Sequence, residues 1–173
     1  MTRLLIVACS QRKKPCRQPL PAIERYDGPT FRVLRKFLRE RRGPMTRILI
    51  LSGKYGLIGA RKRIRDYDLR MTPAIAEGLR PAVLKRLLKA LRAGPVHRVG
   101  LCLGRDYSKA VRGLEAQLPE GVTVEVIGGG LGRRLTKLRE WLYCARPDHD
   151  ASDGEHRGDS RANDRARPRA SEQ

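Results

Sequence analysis

The stretch Leu51–Thr72, LSGKYGLIGARKRIRDYDLRMT, sets Ser52, Tyr55, Tyr67 and Asp68 among six lysines and arginines, directly after an aliphatic run. Each side chain has a chemical use. The Ser52 hydroxyl can donate to a phosphate or a base edge. Lys54 and Arg70 can neutralise phosphate. Tyr55 and Tyr67 can stack on a base or hydrogen-bond through their hydroxyls. Gly53 and Gly56 let backbone N–H groups approach an anion closely. Asp68 suits a general base, or stabilisation of positive charge developing at a sugar, with Tyr67 positioning the base; pairing with Arg65 or Arg70 is the plainer alternative for Asp68.

Three further stretches carry similar groups: CSQRKKP at Cys9–Pro15 with Ser10 and Lys13, LGRDYSK at Leu103–Lys109 with Asp106, Tyr107 and Lys109, and GGGLGRR at Gly128–Arg134 with Arg133. The last is not a Walker loop, because no Gly-Lys-Ser/Thr follows, and it lacks the spacing of a dinucleotide fingerprint. It reads equally as an anion cradle ahead of a helix N-terminus or as a turn. Cys9, Cys16, Cys102 and Cys144 show no C-x-x-C spacing and read as free thiols, so no metal ligand set and no cofactor is expected. The three histidines form no Ser-His-Asp or Cys-His arrangement.

What positions these stretches is a set of aliphatic runs. Arg3–Ala8, Arg47–Leu51, Arg98–Leu103 and Val122–Ile127 are apolar on both faces, as in strands of a parallel or mixed sheet covered by helices. Each run ends in one of the four stretches. Helical patterns fall between them. Pro29 opens one, with Phe31, Leu34 and Leu38 on one stripe. Thr72 caps another from Pro73, which Pro81 interrupts or restarts on its way to Gly94. Asp106 caps a third, ending at Pro119, and a fourth covers about Gly132–Tyr143. The expectation is an α/β fold: a single three-layer domain over residues 1–144 with a central, mostly parallel sheet of about four strands. Residues 145–173 have no aliphatic side chain larger than alanine and are expected to be a disordered, low-complexity tail. In open α/β sheets ligands bind beyond the carboxyl ends of the strands. Ser10, Lys13, Ser52–Gly56, Tyr107, Lys109 and Arg133 would then share one mouth.

The chain has 173 residues and a formal net charge of +20. Residues 145–173 hold six arginines and seven Asp/Glu, so the predicted domain is the basic part, at +21. Self-repulsion of that size points to a polyanion, nucleic acid above all, or to a nucleotide phosphate. Arginine-rich genome composition would give the same count. The basic helical stretch Ala82–Ala93, with Lys85, Arg86, Lys89 and Arg92, suits a phosphate backbone or plain solvent exposure. No run approaches a membrane span and the N-terminus lacks a signal-peptide pattern, so a cytoplasmic location without membrane contact is expected.

Ser10-x-x-Lys13, L-S-G-K-Y-G at Leu51–Gly56, Y-D-L-R-M at Tyr67–Met71 and D-Y-S-K-A-V at Asp106–Val111 occur in this order. Together they resemble the peroxide stress protein YaaA family, especially its short, uncharacterised bacterial and phage relatives. The Leu-Gly turn at Leu131–Gly132 and Trp141 also fit that pattern. The resemblance covers about residues 3–143. It implies a mixed α/β fold with a positively charged cleft, DNA binding, and protection of DNA in oxidative stress. Two functions follow as expectations: a nucleic-acid-binding protein, DNA before RNA, or an enzyme on a nucleobase, nucleoside or nucleotide working by N-glycosidic cleavage or base exchange.

Overall fold

The computed structural model describes residues 2–40 and 42–144. The stretch 145–173 lies outside the described residues, so the expectation of a disordered tail is not addressed by it.

All four aliphatic runs are strands; burial on both faces explains three of them, while the fourth, expected to be buried as well, is an edge strand with Val126 64% exposed. In β1 (Thr2–Ala8), Leu5 and Val7 point into one apolar cluster while Leu4 and Ile6 point into another. A strand with two buried faces needs apolar residues on both, which is what Leu4–Ala8, LLIVA, supplies. β1 is flanked by β3 (Thr46–Ser52) and β6 (Val96–Cys102), both parallel to it, and β7 (Thr123–Val126) lies parallel to β6. β4 (Gly56–Gly59) turns back antiparallel on β3, which gives five strands in the order β4-β3-β1-β6-β7. The sequence reading left β4 unassigned because GLIG is short and bracketed by glycine. Gly56, at φ +62°, takes the left-handed conformation that the hairpin requires. A second, two-stranded ribbon pairs β2 (Leu20–Pro21) with β5 (Arg63–Ile64).

Helices cover both faces. On one lie α1 (Ala22–Arg25), α2 (Pro29–Glu40) and α5 (Leu131–Tyr143); on the other lies α3 (Pro73–Arg92). The α2 stripe is Phe31, Val33, Leu34 and Phe37, whereas Leu38, expected on it, is 42% exposed. α3 runs unbroken through Pro81. The carbonyl that proline deprives of a partner belongs to Glu77, and both residues are exposed, so water can satisfy it. The Thr72 hydroxyl accepts from the N–H of Ile75 at 3.2 Å, as a cap should. Thr72→Ala is expected to lower stability by about 1 kcal/mol in urea unfolding.

The single helix expected from Asp106 to Leu118 does not form. α4 (Arg105–Ser108) is followed by 3-10 turns at Lys109–Val111 and Glu115–Gln117. Gly104, not Asp106, is the N-cap, and no side chain caps it. Gly113, at φ +83°, breaks the path, while Ala110, Val111 and Leu114 are buried in the apolar cluster that α3 covers.

Arg3 and Arg25 are buried cations held by backbone oxygens. Arg3 donates to the carbonyls of Trp141, Leu142 and Cys144 at 2.6, 2.8 and 3.1 Å, supplying partners that the end of α5 lacks. Arg25 donates to the carbonyls of Lys14, Cys16 and Gln18 and so shapes the loop after β1.

Candidate functional site at the strand ends

The chain passes from β1 to β3 on one side of the sheet and from β6 to β7 on the other. The crevice between the carboxyl ends of β1 and β6 is thus the topological switch point, where open α/β sheets hold ligands. Cys9 follows β1, and its Sγ lies 3.1 Å from the hydroxyl of Tyr107, one helical turn beyond β6. Ser52 ends β3 on the other side of β1. Tyr67 reaches over from the loop after β5, with its hydroxyl 2.8 Å from Ser52 Oγ, 2.7 Å from the Tyr26 hydroxyl and 3.8 Å from Cys9 Sγ.

The protons in this network can be assigned by counting lone pairs. The N–H groups of Lys54 and Tyr55 both donate to Ser52 Oγ at 3.2 Å. Ser52 therefore gives its own proton to Tyr67. Tyr26 is fully buried and shares a hydrogen bond with the Tyr67 hydroxyl at 2.7 Å, in which either phenol can donate. Tyr67 thus accepts from Ser52, with the Tyr26 hydroxyl and the Cys9 thiol as the partners left for its own proton. Burial pushes the Tyr26 phenol up to about 12, and burial together with the neighbouring Cys9 drives Tyr67 and Tyr107 upward. These three phenols stay protonated in the fold while an unfolded chain starts to ionise them near 10.0. Below that pH their contribution to stability is complete; above it the unfolded chain gives up protons that the fold retains, so stability falls. Melting temperature is expected to drop steeply from about pH 10 to pH 12, and less so in Tyr67→Phe, which has no proton to lose.

Two ammonium groups stand at the mouth. Lys13 Nζ sits 4.3 Å above the Tyr67 ring; Lys54 Nζ lies 5.4 Å from the same ring and 5.7 Å from that of Tyr55. Tyr55 and Tyr67 meet edge to face at 5.3 Å. Lys13 is placed by pairing with Tyr26, and the Lys14 N–H donates to the Arg25 carbonyl at 2.8 Å. Ser10 packs on buried Gly28, where a Cβ would come within 2.6 Å of its hydroxyl. Gly53 is buried close to the Met71 backbone.

Of the residues picked from sequence, Ser52, Lys54, Tyr55, Tyr67, Tyr107 and Lys13 are joined by these contacts, with Ser10, Gly53 and Gly56 in the adjoining turns. Arg70 is exposed, and its charge acts on Tyr107. Lys109 is turned to Glu77 of α3, 3.7 Å away, and Asp106 sits in the first turn of α4. Arg133 is exposed and packs on Gly129, with no contact to the cluster among the described residues. Asp68 is exposed and forms no ion pair with Arg65 or Arg70 among the described residues. Tyr26 was missed by the sequence reading. It stands before a Gly-Pro turn in no recognisable motif, and its only signal was a large aromatic in a polar stretch.

A groove of about 780 Å³ continues from this mouth between β4 and α3. Lys54 and Tyr55 belong to both. Further along, Lys85, Arg86 and Lys89 line it over an apolar floor of Leu57, Leu79 and Val83. None of these four cations has an acidic partner among the described residues.

The described residues contain no cluster of three or more His, Cys, Asp or Glu able to hold a metal, and no helix long and apolar enough to cross a membrane. Residues 4–140 match the model of DUF6884, a family of unknown function. No curated protein matches the sequence. Among solved structures, the crystal structure of AF0587, a protein of unknown function, is similar in fold, with a TM-score of 0.52 at 15% identity. The likeness covers 86% of this chain and 46% of that one, so the chain spans under half the length of this neighbour.

Proposed function

The chain belongs to DUF6884, a family of unknown function, and from the geometry of its strand-end site we propose that it binds nucleic acid, with DNA the first candidate. The observation that carries this reading is the row Lys54, Lys85, Arg86 and Lys89 along one groove, free of acidic partners among the described residues and ending at the tyrosine cluster. A backbone laid along α3 would meet successive cations, and its last nucleotide would reach Tyr55 and Tyr67. The likeness to the YaaA family points the same way, and a role in protecting DNA under oxidative stress is carried as part of this proposal.

Fluorescence anisotropy with labelled duplex and single-stranded DNA, read at several salt concentrations, tests it. Four phosphate contacts on duplex give a log–log salt slope of about −3.6. Affinity that barely changes with salt would remove the reading.

A second reading has one specific support. A thiol, a serine and three phenols wired together at a switch point are more than backbone binding requires. An enzyme acting on a nucleobase, nucleoside or nucleotide would use such a network, with a phosphate on Lys13 or Lys54. On this reading a nucleoside or nucleotide raises the melting temperature, and Tyr67→Phe lowers turnover far more than ligand binding.

A further inference from the structure

We propose that the acidic segment Asp148–Asp159 of this same chain occupies the basic groove beside α3 and competes with nucleic acid for it. The inference rests on the reading of that groove as a nucleic-acid site. The segment, DHDASDGEHRGD, holds five carboxylates and one arginine. It is thus net −4 with histidine neutral, directly after a fold whose charge is strongly positive. The residues beyond it are again arginine-rich, so the negative charge is concentrated where the chain leaves the fold.

The point of departure favours this groove. Arg3 anchors the Cys144 carbonyl at 3.1 Å, and the Leu142 carbonyl lies 2.8 Å from where a Gly43 side chain would begin. Gly43 and Arg47 line one and the same pocket. Arg47 in turn donates to the carbonyl of Ala90, which lines the lower end of the basic groove with Leu49 and Ala93. Asp148 is four residues past Cys144 and Asp159 is fifteen, an extended reach of roughly 13 to 50 Å. The segment can therefore run up the groove past Lys89, Arg86 and Lys85 towards Lys54. Each cation lacks an acidic partner among the described residues, and a tethered carboxylate is present at high effective concentration. The backbone phosphates of nucleic acid and the carboxylates of the segment present the same chemistry to the groove.

The test keeps the full chain and neutralises the segment: Asp148→Asn, Asp150→Asn, Asp153→Asn, Glu155→Gln and Asp159→Asn together. At low salt the variant is expected to bind duplex DNA about tenfold more tightly, with the gain vanishing as salt screens the tether. Equal affinity of the two chains at low salt overturns the proposal. A second measurement needs no nucleic acid. Backbone amide shifts of Lys85, Arg86 and Lys89 are compared between the parent and neutralised chains at low salt. Differences at these residues support occupancy of the groove; identical spectra overturn it. Should neither chain bind nucleic acid while the shifts differ, the binding reading fails and the intramolecular contact stands.

Discussion

With Lys54, Lys85, Arg86 and Lys89 replaced together by alanine, duplex affinity at moderate salt falls on the order of a hundredfold, and the log–log salt slope flattens by about 3 to 4. The two changes share one cause. Each ammonium or guanidinium laid on a phosphate releases condensed counterions, and the alanine variant releases fewer. The control removes the same number of cations elsewhere, from Lys36, Arg39, Lys137 and Arg139 on α2 and α5. If position matters, that control loses far less. If both variants lose equally, the charge acts as a general surface and the groove has no special standing. All four groove residues are exposed, so their removal leaves the apolar clusters intact and a folding defect is not expected to confuse the result.

The largest stability effect is expected at Trp141. Its ring is 3% exposed, with the Arg3 guanidinium 4.6 Å from its centre and that of Arg98 at 5.7 Å. It also fills space left by Gly100 in β6, where any Cβ would lie 2.8 Å from two ring atoms and 3.1 Å from Leu5 Cδ1. Trp141→Ala removes the indole from between the Gly100 backbone and the Arg3 and Arg98 side chains, at a cost of about 3–5 kcal/mol. That is a large part of the stability of a typical domain. Gly100→Ala is damaging in the parent, because the ring it strikes is fixed in the core. In the Trp141→Ala background the ring clash is gone, and only the Leu5 methyl at 3.1 Å has to shift, into the space the indole left. A double-mutant cycle by urea unfolding should therefore be strongly non-additive, with Gly100→Ala nearly neutral, or stabilising, when the indole is gone.

How far the sequence could be read depended on which signal each feature used. The buried strands β1, β3 and β6 announce themselves by aliphatic runs, whereas β7 is an exposed edge strand; three of the four strand-end stretches do deliver groups to one mouth, because parallel strands aim their carboxyl ends the same way. What the one-dimensional pattern lacked was depth. Asp68 and Tyr67 are neighbours in sequence, yet one faces solvent and the other the buried hydroxyl network. Lys109 follows Tyr107 by two residues but turns to Glu77, since the chain there is a 3-10 turn and not the longer helix its spacing suggests. Tyr26 was illegible because its place comes from the pairing of Lys13 with Tyr26 and from the carbonyls gathered by Arg25. Those long-range contacts have no periodic signature. β4 was hidden for a related reason: four residues with a glycine at each end carry too little pattern to distinguish a strand from a turn.

The clasp between Arg3 and the end of α5 has a consequence for how the molecule is made. The strand synthesised first is the central one, and its neighbour β6 lies over ninety residues later. The carbonyls that satisfy Arg3 come last of all, 138 and more residues away. Partners so distant in the chain close slowly, because loop entropy must be overcome before any contact repays it. On the ribosome β1 would emerge as an aliphatic run without its β6 neighbour, an aggregation hazard until the distant segments arrive. This fold therefore closes only after α5 has been made, and the aliphatic strand β1 is where nascent chains would be most in need of a chaperone.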